Sequence, residues 1–149
     1  MNHFFIKSLA VDRYLINRKL FTLAYCYGPC MVPTINLSGE YFLAEKISHR
    51  IGKVRTGDIV LIRSPTEKIT KRVKGMEGDS VTYVIDPNNS DETNTVVIPK
   101  GHVWVEGDNI YNSKDSRVFG PVPYGLLCGR IFWRLWPPHR VGPMGRKEK

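Results

Sequence analysis

The chain lacks an obvious membrane-spanning stretch. No uncharged apolar run of about 18 residues or more is free of glycine and proline. The longest uncharged stretch, 20–39, is interrupted by Gly28, Pro29 and Pro33. Nor does the start have the form of a secretory signal, because Lys7, Asp12, Arg13, Arg18 and Lys19 break up its apolar positions. Cysteine is scarce: Cys26, Cys30 and Cys128, an odd number at irregular spacing, exclude a disulfide framework. No Cys/His set with zinc spacing follows Cys26 and Cys30, and His3, His49, His102 and His139 are isolated, so no metal site is expected. Internal repeats and low-complexity segments are also missing. So is any helix-turn-helix, zinc-finger or RNP-like pattern. The net charge of +8 therefore reads as a basic surface near a membrane rather than as a nucleic-acid binder.

What is present suffices for one domain with an appended helix and a tail: 149 residues, 42% hydrophobic and 24% charged. Apolar Phe4, Phe5, Leu9, Val11, Leu15, Ile16, Leu20, Leu23 and Ala24 recur at three-to-four spacing, so residues 3–25 read as a helix. Its polar side carries Lys7, Asp12, Arg13, Arg18 and Lys19. Such a helix either packs on the domain or lies in a lipid interface. Beyond it, short β-prone runs separated by turns follow one another: 41–46, 58–63, 69–74, 80–85, 95–99, 102–106 and 126–134. The turn-rich Asp86 to Asn94 reads as an exposed hairpin tip. The fold class expected is mostly β, a small barrel or sandwich. The expected division is a helix over 1–26, the main domain over 27–137 and a flexible basic tail over 138–149.

Three stretches stand out chemically. Gly28-Pro29-Cys30-Met31-Val32-Pro33-Thr34 has the form of a loop presenting one nucleophile, with Gly28 and Pro29 breaking regular structure and Pro33 holding Val32 extended. In Ile69 to Lys74, alternation puts Lys71 on one face with Ile69 and Val73, the face expected to be buried. A buried lysine loses charge readily, and a neutral amine takes a proton from a hydroxyl or thiol. The third stretch is the polar loop from Gly107-Asp108-Asn109 through Ser113, Asp115, Ser116 and Arg117 to Gly120-Pro121. Taken singly, each has a bland reading. Cys30 is then a small core residue, Lys71 a strand lysine reaching out to water, and Asp115 and Arg117 a surface pair of little worth.

In combination and in this order, the stretches resemble the signal peptidase family, membrane-bound endopeptidases that remove sorting sequences. The resemblance rests on Gly28 to Thr34, Gly57-Asp58-Ile59-Val60, Lys71-Arg72-Val73 with Gly75 and Gly78-Asp79, and Gly107-Asp108-Asn109 with Ser113, Asp115-Ser116-Arg117 and Gly120-Pro121-Val122. Within the family the chain looks most like the catalytic-subunit branch of the mitochondrial inner membrane. The resemblance implies a coiled, barrel-like β fold with one N-terminal helix. It implies Cys30 as nucleophile in place of the family serine, Lys71 as general base, Ser113 orienting that lysine, and Asp115 and Arg117 bracing the loop. Met31 and Pro33 would meet substrate. The Cys30 N–H would donate to the oxyanion, while Gly28 stands where some relatives supply a second donor from a side chain.

No cofactor is implied. Expected partners are sorting presequences, a second related subunit and the membrane surface on the intermembrane-space side, with no nucleic acid. Because a thiol ionises below an amine, the Cys30–Lys71 pair can rest as thiolate and ammonium. The other reading is an impaired paralogue that binds presequences or a partner subunit.

Overall fold

The computed structural model describes residues 20–146. Its strands are β1 (Phe21–Cys26), β2 (Glu40–Glu45), β3 (Ile59–Arg63), β4 (Lys68–Gly75), β5 (Ser80–Val84), β6 (Thr93–Val97), β7 (His102–Glu106), β8 (Val122–Pro123), β9 (Leu127–Trp136) and β10 (Gly142–Pro143). One short helix, α1 (Ser116–Phe119), follows the polar loop. The main sheet runs in the order β1-β2-β9-β3-β4-β7-β8, with β10 added beside β9, and β5 and β6 form a separate hairpin. Every pairing is antiparallel. The mostly β class expected from the sequence is the class observed.

The central strand β3 shows why the sheet is buried on both sides. Ile59 and Leu61 enter one core cluster with Ala24, Phe42 and Ile131. Val60 and Ile62 enter another with Val73, Val103, Val105 and Leu127. A strand whose alternate residues feed two cores reads as a continuous apolar run, which is what Ile59 to Ile62 is. Cys30, Met31 and Ile35 belong to the first cluster, so the loop after β1 is packed into the domain and held by apolar contacts.

The structure corrects the expected boundaries at both ends. The expected helix lies outside the described residues over 1–19, but its last part is strand β1, paired with β2 from Phe21↔Glu45 to Cys26↔Glu40. Burial along β1 alternates, with Thr22, Ala24 and Cys26 inside. Both faces carry apolar residues, so Leu20, Leu23 and Ala24 satisfied a helical period by accident.

At the other end, the chain from 138 to 146 is tied down. Gly142 and Pro143 pair with Arg134 and Trp133. Arg140 reaches the fully buried Glu40 at 2.6 Å, and Arg146 reaches Asp58 at 2.7 Å. Basic residues look solvated in a sequence taken alone. Here buried carboxylates in the domain require them as partners. Among the described residues, no helix is long and apolar enough to cross a membrane.

Candidate active site

The loop between β1 and β2 is built around a backbone that few residues can follow. Gly28 has φ of 104°, a left-handed conformation that favours glycine, and its N–H donates to Leu37 O at 3.1 Å. A side-chain oxyanion donor at this position would carry a strained backbone, which accounts for its absence. The chain then turns tightly, Val32 N donating to Pro29 O at 3.2 Å and Ile35 N to Met31 O at 3.0 Å. Among the described residues no backbone carbonyl accepts the Cys30 N–H. The thiol is 1% exposed and contacts Thr70 O on β4 at 3.9 Å.

Strand β4 brings Lys71 to the same place. Val73 is fully buried and Ile69 partly so, as alternation suggests, but Thr70 and Arg72 are buried as well, so both faces of β4 are covered. The Lys71 side chain, only 4% exposed, lies close enough for its charge to act on the Cys30 thiol. Its Nζ donates to Ser113 Oγ at 3.2 Å. Ser113 also helps to hold the Asp115 carboxylate ionised, and Arg117 grips that carboxylate through Nε at 2.9 Å and Nη2 at 2.8 Å. Thiol, amine, hydroxyl, carboxylate and guanidinium are thus gathered in one buried cluster. Asp115 also caps α1 by accepting from Arg117 N at 3.2 Å and takes the Gly107 N–H at 2.9 Å.

Burial sets the electrostatics. It pushes the Cys30 thiol above its ordinary 9.0, and the Lys71 charge recovers only part of that. Burial thus acts against the expected resting thiolate–ammonium pair. Its neighbour Cys26, wholly buried, is pushed to about 12. Asp115 goes the other way. Burial raises it, but hydrogen bonds from Arg117, Gly107 N–H and Ser113, with the Arg117 charge, outweigh burial and hold it below 3.8. Arg117 is raised in return by its hydrogen bonds to Asp115.

The two residues expected to meet substrate are placed differently. Pro33 is exposed. Met31 is 0% exposed and packs in the first core cluster. Its side chain anchors the loop and does not present itself to a substrate, a correction explained by its position on the inward side of the turn.

Several residues that hold the site together carry no role in the sequence reading. Asn109 N donates to Cys30 O at 2.9 Å, and Asn109 Nδ2 to Pro29 O at 3.2 Å. Arg72 and Asp108 form a buried two-pronged ion pair, Nε–Oδ1 2.8 Å and Nη2–Oδ2 2.7 Å. Thr34 Oγ1 also donates to Asp108. The far side of Thr34 is held too, its carbonyl accepting from Arg134 and Arg140. Arg72, Asp108 and Asn109 lay inside stretches singled out by sequence, but nothing in their spacing shows that they join. Among the described residues, no group of three or more His, Cys, Asp or Glu is placed to hold a metal ion.

Gly107 is where the two halves of the site touch. A Cβ built there would lie 2.3 Å from Ser113 Oγ and 2.4 Å from Cys30 O. The Cys30 carbonyl cannot yield easily, because Asn109 N already holds it. Gly107→Ala is expected to cut peptide turnover about 10²-fold, the order of loss that a displacement of about 1 Å produces in a positioned site. Overpacking is expected to cost roughly 1–3 kcal/mol of stability. Turnover and a denaturant midpoint measured on the same preparation check both.

An amine poised to take a proton from a nucleophile, inside a coiled β scaffold, defines a class: hydrolases that use lysine where others use imidazole. The family model described as signal peptidase, peptidase S26 matches residues 2–89 and 84–136, and the chain belongs to that family. It is 56% identical over 144 residues to the mitochondrial ATP-independent inner membrane protease subunit 1b of Arabidopsis thaliana, covering 95% of this chain and 85% of that protein. It is 47% identical over 115 residues to the human mitochondrial inner membrane protease subunit 1, covering 75% and 68%. Subunit 2 of the same protease from Danio rerio is 39% identical over 129 residues, covering 82% and 68%. The chain is thus a peptidase of the signal peptidase type, in the mitochondrial inner-membrane group.

Proposed function

We propose that the chain removes sorting presequences from proteins of the mitochondrial intermembrane space, using Cys30 and Lys71 as a thiol–lysine dyad. The observation that carries this reading is the buried Lys71, whose charge acts on the Cys30 thiol and whose Nζ donates to Ser113 Oγ at 3.2 Å. In the reaction, Lys71 in its neutral, unprotonated form takes the S–H proton as sulfur attacks the scissile carbonyl. The Cys30 N–H donates to the oxyanion of the tetrahedral intermediate. The protonated Lys71 gives its proton to the leaving amine, and a thioester remains on Cys30. A water, deprotonated by Lys71, then releases the acyl group. Ser113 accepts from Lys71 Nζ and keeps it aimed, and Asp115 with Arg117 fixes Ser113. Exposed Pro33 is the substrate contact in this reading, and Met31 holds the loop from below.

The names of the relatives support the setting. They are subunits of an inner membrane protease, and subunit 2 is itself similar to this chain. We place the chain at the inner membrane on the intermembrane-space side, beside a second related subunit. Its first 19 residues, basic and amphipathic in sequence, would lie against the lipid surface.

The raised thiol gives this mechanism a pH signature. Attack needs the sulfur without its proton, and that state becomes easier to reach as pH rises. Because Cys30 lies above 9.0, kcat/KM is expected to climb from neutral pH and to keep climbing past pH 9. A plateau reached below that value would contradict a buried protonated thiol.

The burial of Cys30, 1% exposed, favours a second reading in which the chain binds presequences without cutting them. Incubation with a presequence peptide followed by intact-protein mass spectrometry separates the two. An acyl adduct on Cys30 supports the dyad, and its absence together with tight peptide binding supports the second reading.

A further inference from the structure

The end of the sheet where β1 begins carries a feature that peptide hydrolysis leaves unused. A cleft of about 280 Å³ opens there, lined by Lys46, His49, Arg50, Arg63, Lys68 and Cys128. No carboxylate lines it. Among the described residues, Arg50, Arg63 and Lys68 have no side-chain hydrogen bond or ion pair. Of the two acids adjoining the cleft residues in sequence, Glu67 has its own interaction and does not line the cleft, and Glu45 is already taken by Arg130 at 3.0 Å and by the N–H groups of Ile47 and Ser48. Nδ1 of His49 is buried with no hydrogen-bond partner. Burial pushes the Cys128 thiol up, but the charges of Lys68, Arg63 and Lys46 all act on it in the opposite sense, which places these cations around one point.

Like charges gathered without an acid repel one another, and the arrangement is relieved by an anion with several acceptor oxygens. The volume lies below the roughly 300–1,000 Å³ of drug-sized ligand sites, which suits a single small polar group. Position indicates the source. Lys46 N donates to Leu20 O at 2.6 Å, so the cleft sits where the first 19 residues, with their own basic positions, join the sheet. Leu126, 39% exposed, supplies an apolar lip beside the cations, an arrangement suited to a headgroup with acyl chains behind it.

We propose that this cleft seats the phosphate of an anionic lipid headgroup. The inference rests on the reading of the chain as a peptidase that works against a membrane surface. It adds a defined headgroup site to that reading. Arg63 and Lys68 are the principal contacts, Arg50 and Lys46 flank them, and the site orients the domain on the lipid.

Cys128, half-buried in the cleft, reports on occupancy. The full-length protein is treated with N-ethylmaleimide at constant ionic strength, and the rate of Cys128 modification is followed by peptide mass spectrometry. Three additions are compared: phosphatidylcholine vesicles, the same vesicles containing phosphatidylglycerol, and inorganic phosphate. Phosphatidylglycerol vesicles at ten times the apparent Kd are expected to slow the reaction about tenfold. Phosphatidylcholine vesicles should leave it unchanged. Arg63→Gln and Lys68→Gln should each weaken that protection about fivefold, while both variants cleave a soluble presequence peptide as the wild type does. Equal protection by inorganic phosphate at matched phosphate concentration overturns the lipid assignment, leaving a free-anion site. Protection that survives in the Arg63→Gln/Lys68→Gln double variant overturns the cleft altogether. Peptide cleavage is read separately, so its loss in wild type counts against the dyad and not against the headgroup site.

Discussion

Cys30→Ala is expected to abolish cleavage of a presequence peptide, with a fall of about 10³-fold or more, and Lys71→Ala to lower it by about 10²–10⁴. Neither change should unfold the protein. Cys30→Ala removes one sulfur from a cluster held by Phe42, Ile59, Leu61 and Ile131, a small deletion by the standards of core truncation. Lys71→Ala deletes a buried amine that donates to Ser113 and whose charge acts on Cys30, groups that belong to the site and not to the scaffold.

Cys30→Ser is the discriminating variant. Serine is the family nucleophile, and Lys71, held by Ser113 beside the Asp115–Arg117 pair, is already in place to activate it. This variant is expected to turn over at least as fast as the wild type and to ignore thiol-alkylating reagents that inactivate the wild type. Full activity in Cys30→Ala removes the thiol from the mechanism. Inactive Cys30→Ser with normal folding shows instead that the site is braced for sulfur alone.

These expectations follow from residues that the sequence made visible, and the sequence reading failed where partners come from afar. Strand alternation grouped Lys71 with Ile69 and Val73, and glycine and proline marked the turn around Cys30, but each residue taken singly kept a bland reading. The resemblance to the signal peptidase family is what singled the two out. Strands β2 to β7 and β9 were legible from their β-branched runs and the turn residues between them, while the two-residue β8 was not.

The ends were not legible. β1 is apolar on both faces, and a two-residue period with both faces apolar also satisfies a helical one. The tail from 138 to 146 looked solvated because its partners, Glu40 and Asp58, lie about 100 and 88 residues away, beyond any local pattern. The substrate role expected of Met31 failed for a related reason: neighbouring residues on a tight turn point to opposite sides, and burial decides which. The thiol's proton also depends on burial, which reference values for free side chains do not contain.

The second large effect concerns a pair that does no chemistry. Arg72 on β4 and Asp108 after β7 face each other with side chains 2% and 5% exposed. Arg72 spends its remaining Nη1 on Gly57 O at 2.8 Å. Asp108→Ala leaves the guanidinium buried beside one carbonyl, a situation expected to cost about 3–5 kcal/mol of stability. Asp108 also receives the Thr34 hydroxyl from the nucleophile loop, and its neighbour Asn109 holds Cys30 O. The same carboxylate therefore ties the sheet to the loop that carries the thiol.

The two roles can be separated. Replacing both partners, Arg72→Met with Asp108→Leu, removes the uncompensated charge and should restore most of the stability. It cannot restore the acceptor for Thr34, so turnover should stay depressed by about 10-fold or more through loss of positioning. Urea midpoints for the single and double variants, with kcat on the same samples, make the comparison. A double variant that regains wild-type stability and wild-type kcat together would show that the pair serves the scaffold alone, and that the nucleophile loop takes its position from the apolar packing of Met31 and Ile35 beneath it.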